Sequence, residues 1–146
     1  YANGSSVIFT LIPKEHSLVV WPNVADMLSK AARTTRGKFS KMNILDELME
    51  RTIELWVVYD DDNKPVAAVT TRVVPYDQFR ALSIDWVGGQ RMSEWIDLVV
   101  ETLTNYAKDQ ECSMMAGYGR KAWSKVLAKY GWEQDYIAYR MELKDE

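Results

Sequence analysis

Three β-rich runs separated by short turns constrain this chain more than any other feature of its sequence. The runs cover residues 54–59, 66–74 and 81–87, and each is rich in Val, Ile, Trp or Tyr. A polar turn separates the first two runs, and a proline stands at either end of the second. Turns this short connect neighbouring antiparallel strands. The block therefore predicts an antiparallel meander that stops at Gly88 and Gly89.

Helical periodicity flanks this block on both sides. Before it, a β-rich run at 7–12, which residues 18–21 could extend or replace, precedes two helices. The first opens at Pro22, and Asn43 is the predicted N-cap of the second. After the meander the pattern becomes helix, strand, helix, strand. The expected features of that half are an N-cap at Ser93, a strand at 112–116, a helix closed by Gly131 and a final strand at 136–143.

This order of elements predicts a single α/β (α+β) domain over residues 7–146, with helices on a mixed sheet of six or seven strands. The third helix connects the runs at 81–87 and 112–116, which should be parallel neighbours joined by a right-handed crossover. Residues 1–6 are set aside as a tail or an expression remnant.

Composition excludes several classes of function. The net charge of −3 argues against a nucleic-acid binder that relies on global charge. One cysteine, Cys112, and one histidine, His16, rule out an intrachain disulfide and any multi-Cys or His-rich metal site. No apolar run approaches the roughly 20 residues that span a bilayer, so no membrane partner is expected. The expectation is a cytoplasmic protein that binds no metal.

Several short motifs carry a family resemblance in their order along the chain. They are Leu55-Trp56, Gly88-Gly89, Trp95, the Gly-Arg-Lys-Ala-Trp stretch at 119–123, and Gly131-Trp132. The order of the elements, together with the stretches at 119–123 and 131–132, resembles the GNAT superfamily of N-acetyltransferases, which implies an acyl-CoA N-acyltransferase-like sheet with helices on both faces. More narrowly, the chain resembles small acetyltransferase-like proteins encoded by tailed bacteriophages.

The resemblance implies a site for acetyl-CoA or CoA at the turn before the third helix. Backbone N–H groups and a helix N-terminus can hold a pyrophosphate there, although the glycine spacing departs from the usual family pattern. The alternative interpretation is a tight strand-to-helix turn that needs glycine. The predicted cofactor-binding residues are Gly88, Gly89, Gln90, Arg91, Met92 and Ser93.

Candidate catalytic residues follow from the chemistry of acetyl transfer. Asp85, near the end of its strand, is the candidate base for an amine, and its alternative role is that of a solvated or hydrogen-bonded carboxylate. By the resemblance, the position that often holds a tyrosine acid falls on Leu127. Tyr118 and Tyr130 are the fallback acids, and their alternative role is packing at the sheet edge.

A basic cluster lies around the loop between the first two helices, at Lys30, Arg33, Arg36, Lys38 and Lys41. Such a cluster could hold CoA phosphates or an acidic partner, or could simply be solvated.

The leading hypothesis is an acetyltransferase-like protein that binds a small-molecule CoA thioester and transfers an acetyl group to an amine or protein acceptor. The alternative is a catalytically degenerate member of the fold, a structural or virion-associated phage protein. In that case the host cytoplasm or the virion would be its location. The residues leave open whether the chain is an enzyme, and they do not specify the acceptor.

Overall fold

The computed structural model describes residues 6–144, so residues 1–5 of the expected tail lie outside the described residues. Five strands form one sheet: β1 Ile8–Ile12, β2 Glu54–Tyr59, β3 Pro65–Pro75, β4 Arg80–Gly89 and β5 Met114–Gly117. The helices are α1 Ser17–Arg33, which follows a 3-10 turn at Lys14–His16, α2 Lys41–Met49, α3 Met92–Asp109 and α4 Trp123–Ala128.

The sheet has the strand order β1-β2-β3-β4-β5. The first four strands are antiparallel to their neighbours, as the short turns of the meander predict. After α3 the chain returns as β5, which lies parallel to β4. This parallel pair confirms the neighbours predicted from the runs at 81–87 and 112–116, and with them the mixed α/β fold.

Both faces of the sheet are buried, because side chains that alternate along β2 enter two different cores. Leu55 and Val57 pack with the apolar faces of α1 and α2. Trp56 and Val58 point the other way and pack with Trp95, Val99 and Leu103 of α3. The period of two along a strand produces this division, and it explains why β2 reads as a continuous apolar run. Helices therefore cover both faces, as predicted.

Three helix starts differ from the sequence-based expectation. Helix α1 begins at Ser17 and includes Pro22, so residues 18–21 are helical rather than an extension of β1. Ser40 is the N-cap of α2, and the Oδ1 atom of Asn43 accepts its N–H at 2.8 Å, which completes a capping box. Arg91, in the left-handed region at φ 62°, is the N-cap of α3, so Ser93 lies inside that helix.

The final strand predicted at residues 136–143 is wrong: these residues are exposed and belong to no strand, so the described sheet has five strands rather than six or seven. Alternating apolar residues make a segment suitable for pairing, but a strand also needs an edge to pair with. One edge strand of the sheet, β5, is only four residues long. The segment instead contacts the loop between α1 and α2, where Arg140 Nη1 donates to the Arg36 carbonyl at 3.1 Å.

Candidate functional site

The sheet opens between β4 and β5. The two strands pair over Ala81–Ile84 and Met114–Gly117, and β4 then continues for five more residues to Gly89. Within residues 6–144, no strand pairs with residues 85–89 on the side opposite β3. Backbone N–H and C=O groups on that side of β4 are therefore available to an extended ligand.

Asp85 lies where this gap begins. Thr70 pairs with Trp86 and Thr71 with Ile84, so Asp85 is the extra residue of a β-bulge, which re-aims its side chain. Both carboxylate oxygens accept hydrogen bonds. Ser83 Oγ donates to Oδ1 at 2.6 Å, and the Nε atom of Arg72 donates to Oδ2 at 2.7 Å. The Asp85 carboxylate is therefore charge-paired and held in one orientation.

Two further carboxylates, on Glu47 of α2 and Glu54 of β2, share the electrostatic field of Asp85. Burial raises the pKa of Glu47, and the Asp85 charge raises it further, against an opposing effect of Arg72. Burial likewise raises the pKa of Glu54, while Lys14 and a hydrogen bond from Thr71 lower it. The site is thus an acidic cluster of partly buried side chains with two cations, Arg72 beside Asp85 and Lys14 beside Glu54.

A raised pKa at Glu47 has a consequence for stability. The folded state binds this proton more tightly than the unfolded chain, so the stabilisation is complete at low pH and declines as pH rises above the ordinary value of 4.5. Glu47→Gln is therefore expected to raise the Tm at pH 7 and to change it little at pH 4. Thermal melts across that range test this, with the exposed Asp46→Asn on the same helix as control. An equal Tm change at both pH values would contradict the expectation.

Tyr118 directly follows β5, so it lies at the same end of the gap as Asp85. Its side chain is mostly exposed. Partial desolvation of the hydroxyl and the neighbouring Tyr136 raise the pKa of Tyr118, and Arg72 lowers it. The phenol is therefore protonated at neutral pH, and it lies within the electrostatic reach of the guanidinium that pairs with Asp85.

Tyr130 is not placed with the other two candidates. Its hydroxyl donates to Oδ1 of Asp97 on α3, and this hydrogen bond is the main reason that the pKa of Tyr130 is raised. The contact ties the end of α4 to α3 and commits the phenolic proton to Asp97. The structure thus brings Asp85 and Tyr118 to the gap and gives Tyr130 a structural partner.

Gly88 and Gly89 are explained by close backbone approach. A Cβ atom on Gly88 would lie 2.2 Å from the Met27 carbonyl oxygen of α1. On Gly89, at φ 144°, it would lie 2.4 Å from the Val66 carbonyl oxygen of β3. Both distances are far inside van der Waals contact. The two glycines are therefore required by the packing of β4 against α1 and β3, whatever the turn binds.

The turn between β4 and α3 uses part of its polar backbone internally. The N–H of Gln90 donates to the Val66 carbonyl at 3.0 Å, and the Gln90 carbonyl accepts Nε1 of Trp95 at 2.8 Å. Met92 is half-buried and packs against the core beneath α3. What remains for an anion is the start of α3: the Glu94 N–H donates to the Arg91 carbonyl, whereas Met92 and Ser93, as the first two helical residues, have no carbonyl one helical turn before them within the helix.

Arg91, the predicted phosphate partner, is paired with two carboxylates. It makes two hydrogen bonds to Glu94, at 3.0 and 2.8 Å, and one to Asp60 at 3.1 Å. These bonds raise the pKa of Arg91. With one guanidinium and two carboxylates, the net charge of the group is −1. A phosphate would have to compete with both acids for Arg91.

Sequence reasoning missed Arg72 and Glu47. Arg72 is the one charged residue within the β-rich run at 66–74, and a charge inside such a run is a signal that could have identified it. Glu47 gave no signal, because it reaches the site only when α2 packs on the sheet.

Among the residues that the structure describes, no cluster of His, Cys, Asp or Glu has the arrangement of a metal site. In the same part of the chain, every helix is too short or too polar to span a membrane.

Several solved structures with this fold are acetyltransferases. An aminoglycoside N-acetyltransferase in complex with CoA matches with a TM-score of 0.71 and 12% identity, over 98% of this chain and 99% of the other. A ribosomal-protein-alanine N-acetyltransferase from Brucella melitensis matches with a TM-score of 0.68 and 15% identity, over 95% and 100%. An acetyltransferase from Trypanosoma brucei matches at 0.67 and 14%, over 94% and 100%.

No model of a known protein family matches the sequence, and no curated protein matches it. A GNAT family acetyltransferase from Staphylococcus aureus is also similar in structure, with a TM-score of 0.65 and 9% identity over 94% of this chain and 99% of the other. The chain therefore has the GNAT acetyltransferase fold, a mixed five-stranded sheet with helices on both faces.

Proposed function

We propose that this protein binds an acyl-CoA in the gap between β4 and β5 and transfers the acyl group, an acetyl group in the simplest case, to an amine. The observation that carries the proposal is the free edge of β4 along residues 85–89. An extended chain that contains amides, such as the pantetheine arm of CoA, can pair with a free strand edge as an added strand would.

The residues at the mouth of the gap suit the proton transfers of this reaction. The amine nitrogen attacks the thioester carbonyl, and the amine proton passes to a carboxylate, for which Asp85 is the candidate. The C–S bond then breaks, and the thiolate takes a proton from Tyr118, whose raised pKa keeps it protonated at neutral pH. Arg72 orients Asp85, and Glu47 adds a second carboxylate to the cluster.

The start of α3 is the proposed site for the CoA phosphates. Its helix dipole and the first-turn N–H groups of Met92 and Ser93 favour an anion, and Arg91 lies beside them. Gly88 and Gly89 support the turn sterically, and the backbone of Gln90 holds it to β3 and Trp95.

The test is a thermal shift with acetyl-CoA, and its matched variants lie on α3. Acetyl-CoA at about tenfold its Kd is expected to raise the Tm by about 3–6 °C through mass action. Ser93→Glu, an exposed change that suits a helix N-terminus, should abolish most of that shift because it places a carboxylate where the phosphates bind. The exposed Asn105→Glu, near the other end of the helix, should leave the shift intact.

A second candidate is a non-catalytic member of the fold that acts through surface contacts, as a structural or virion-associated phage protein would. The pairing of Arg91 with Asp60 and Glu94 favours it, since those acids oppose phosphate binding. Leu127 also favours it, because leucine cannot donate a proton. An unchanged melting curve of the folded protein at millimolar acetyl-CoA would contradict acyl-CoA binding and support this candidate.

A further inference from the structure

A groove of about 430 Å³ lies between the loop that follows α1 and the C-terminal segment. Arg36 and Lys38 line one wall, and Tyr139, Arg140 and Glu142 line the other. The two walls are joined by the hydrogen bond from Arg140 Nη1 to the Arg36 carbonyl, at 3.1 Å. This volume is large enough for a small ligand.

The groove is positively charged although the whole chain carries −3. Its lining has three cationic side chains, Arg36, Lys38 and Arg140, and one carboxylate, Glu142, which leaves a net charge of +2. Across residues 6–144, none of the three cations lies in an ion pair. Arg140 uses one N–H on the Arg36 carbonyl and keeps the rest of its guanidinium donors for a ligand.

Both walls of the groove connect to the strands that flank the gap. Phe39, next to Lys38, packs edge-on against Trp86 of β4, with ring centroids 5.5 Å apart, and Trp86 belongs to the unpaired end of that strand. On the other side, Tyr136 precedes the C-terminal wall and lies close enough to Tyr118, directly after β5, to raise its pKa. Residues next to each wall of the groove therefore pack against, or lie close to, the two strands that flank the gap.

We infer that this groove selects the acceptor: an amine whose remote part carries carboxylates, such as the free amino terminus of a short acidic peptide. Guanidinium groups match carboxylates bidentately, and Arg36 and Arg140 supply two of them. An open groove between two stretches of irregular backbone suits an extended peptide. The inference rests on the proposed transfer at the gap, and it names the substrate class for that same site.

The experiment compares three pentapeptides with free amino termini that differ only in having Glu, Gln or Lys at their second to fourth positions. Binding is measured by calorimetry at low ionic strength without acetyl-CoA, and transfer is measured separately as kcat/KM. The Glu peptide is expected to bind about tenfold more tightly than the Gln peptide, and raised salt should remove the difference. The Lys peptide should bind most weakly.

Variants assign the effect to the groove. The double variant Arg36→Gln with Arg140→Gln should reduce the Glu peptide to the affinity of the Gln peptide, while the acetyl-CoA thermal shift stays unchanged. Glu142→Gln should tighten binding of the Glu peptide. The matched control, Lys125→Gln with Lys129→Gln, removes the same charge from exposed positions near α4 and should have no effect.

Equal affinities for the three peptides, or an equal loss in the groove variant and the α4 control, would overturn the inference. Selective binding of the Glu peptide without any transfer would support the groove and count against the proposed transferase. A thermal shift with acetyl-CoA and transfer to all three peptides at equal rates would support the proposed transferase and count against the groove.

Discussion

Asp85→Asn is expected to lower kcat for acetyl transfer by about 10²–10⁴-fold, the contribution of a positioned general base. The amide oxygen can still accept from Arg72, and the amide NH2 group can donate to Ser83 Oγ, so the geometry of the bulge should survive. The amide cannot take the amine proton. The measurement is initial-rate acetyl-CoA consumption with a panel of amines and peptides, at saturating acetyl-CoA.

The matched control is Asp97→Asn, which neutralises the carboxylate that accepts the Tyr130 hydroxyl on α3. Because Tyr130 is committed to that structural contact, kcat should change little in the control. Arg72 loses its carboxylate in Asp85→Asn, so a modest fall in Tm is expected there, and an intact acetyl-CoA thermal shift shows that the variant is folded. Fast turnover that survives Asp85→Asn would remove Asp85 as the base.

Gly88→Ala is expected to lower the free energy of unfolding by about 2–4 kcal/mol, and the Tm by about 5–15 °C. The added Cβ would lie 2.2 Å from the Met27 carbonyl oxygen and 2.7 Å from its carbonyl carbon. These are backbone atoms of α1, so a side-chain rotation cannot relieve the clash. The clash can be relieved only if α1 moves away from β4. Denaturant unfolding measures the resulting loss in the free energy of unfolding.

Gly117→Ala is the matched control for the same chemical change. A Cβ there would lie 3.4 Å from the Ile84 carbonyl oxygen and 3.8 Å from the Trp132 ring, which is near ordinary contact. The control should stay within about 1 kcal/mol of the parent. Equal losses in Gly88→Ala and Gly117→Ala would mean that the approach of α1 to β4 is not what requires glycine at Gly88.

The sheet is the part of the fold that was predictable from local pattern. The β-rich runs and their short turns predicted β2, β3 and β4 to within one or two residues, and periodicity predicted the helix that crosses to β5. The helix starts were less predictable. Pro22 and Asn43 looked like first residues or caps, whereas α1 tolerates the proline and Ser40 caps α2. Local sequence allowed both placements, and packing against the sheet selected one.

Part of the candidate site was predictable in the same way. Asp85 and Tyr118 follow from strand position, because residues at the carboxyl ends of parallel neighbours meet at one end of the sheet. Arg91 was predicted as a phosphate partner from its place in the turn. Its pairing with Asp60 joins residues 31 positions apart, and no local pattern reports it.

The sequence by itself determined which segments are strands and helices in most of the chain, because side-chain period and turn chemistry are local properties, and the order of those elements predicted a mixed sheet. Tertiary structure alone decided that β4 extends beyond its pairing with β5, which opens the gap. It also decided that Glu47 and Arg72 surround Asp85, and that the residues at 136–143 lie beside the loop after α1 instead of joining the sheet. These outcomes depend on distances between segments far apart in the chain, which packing sets and local pattern does not.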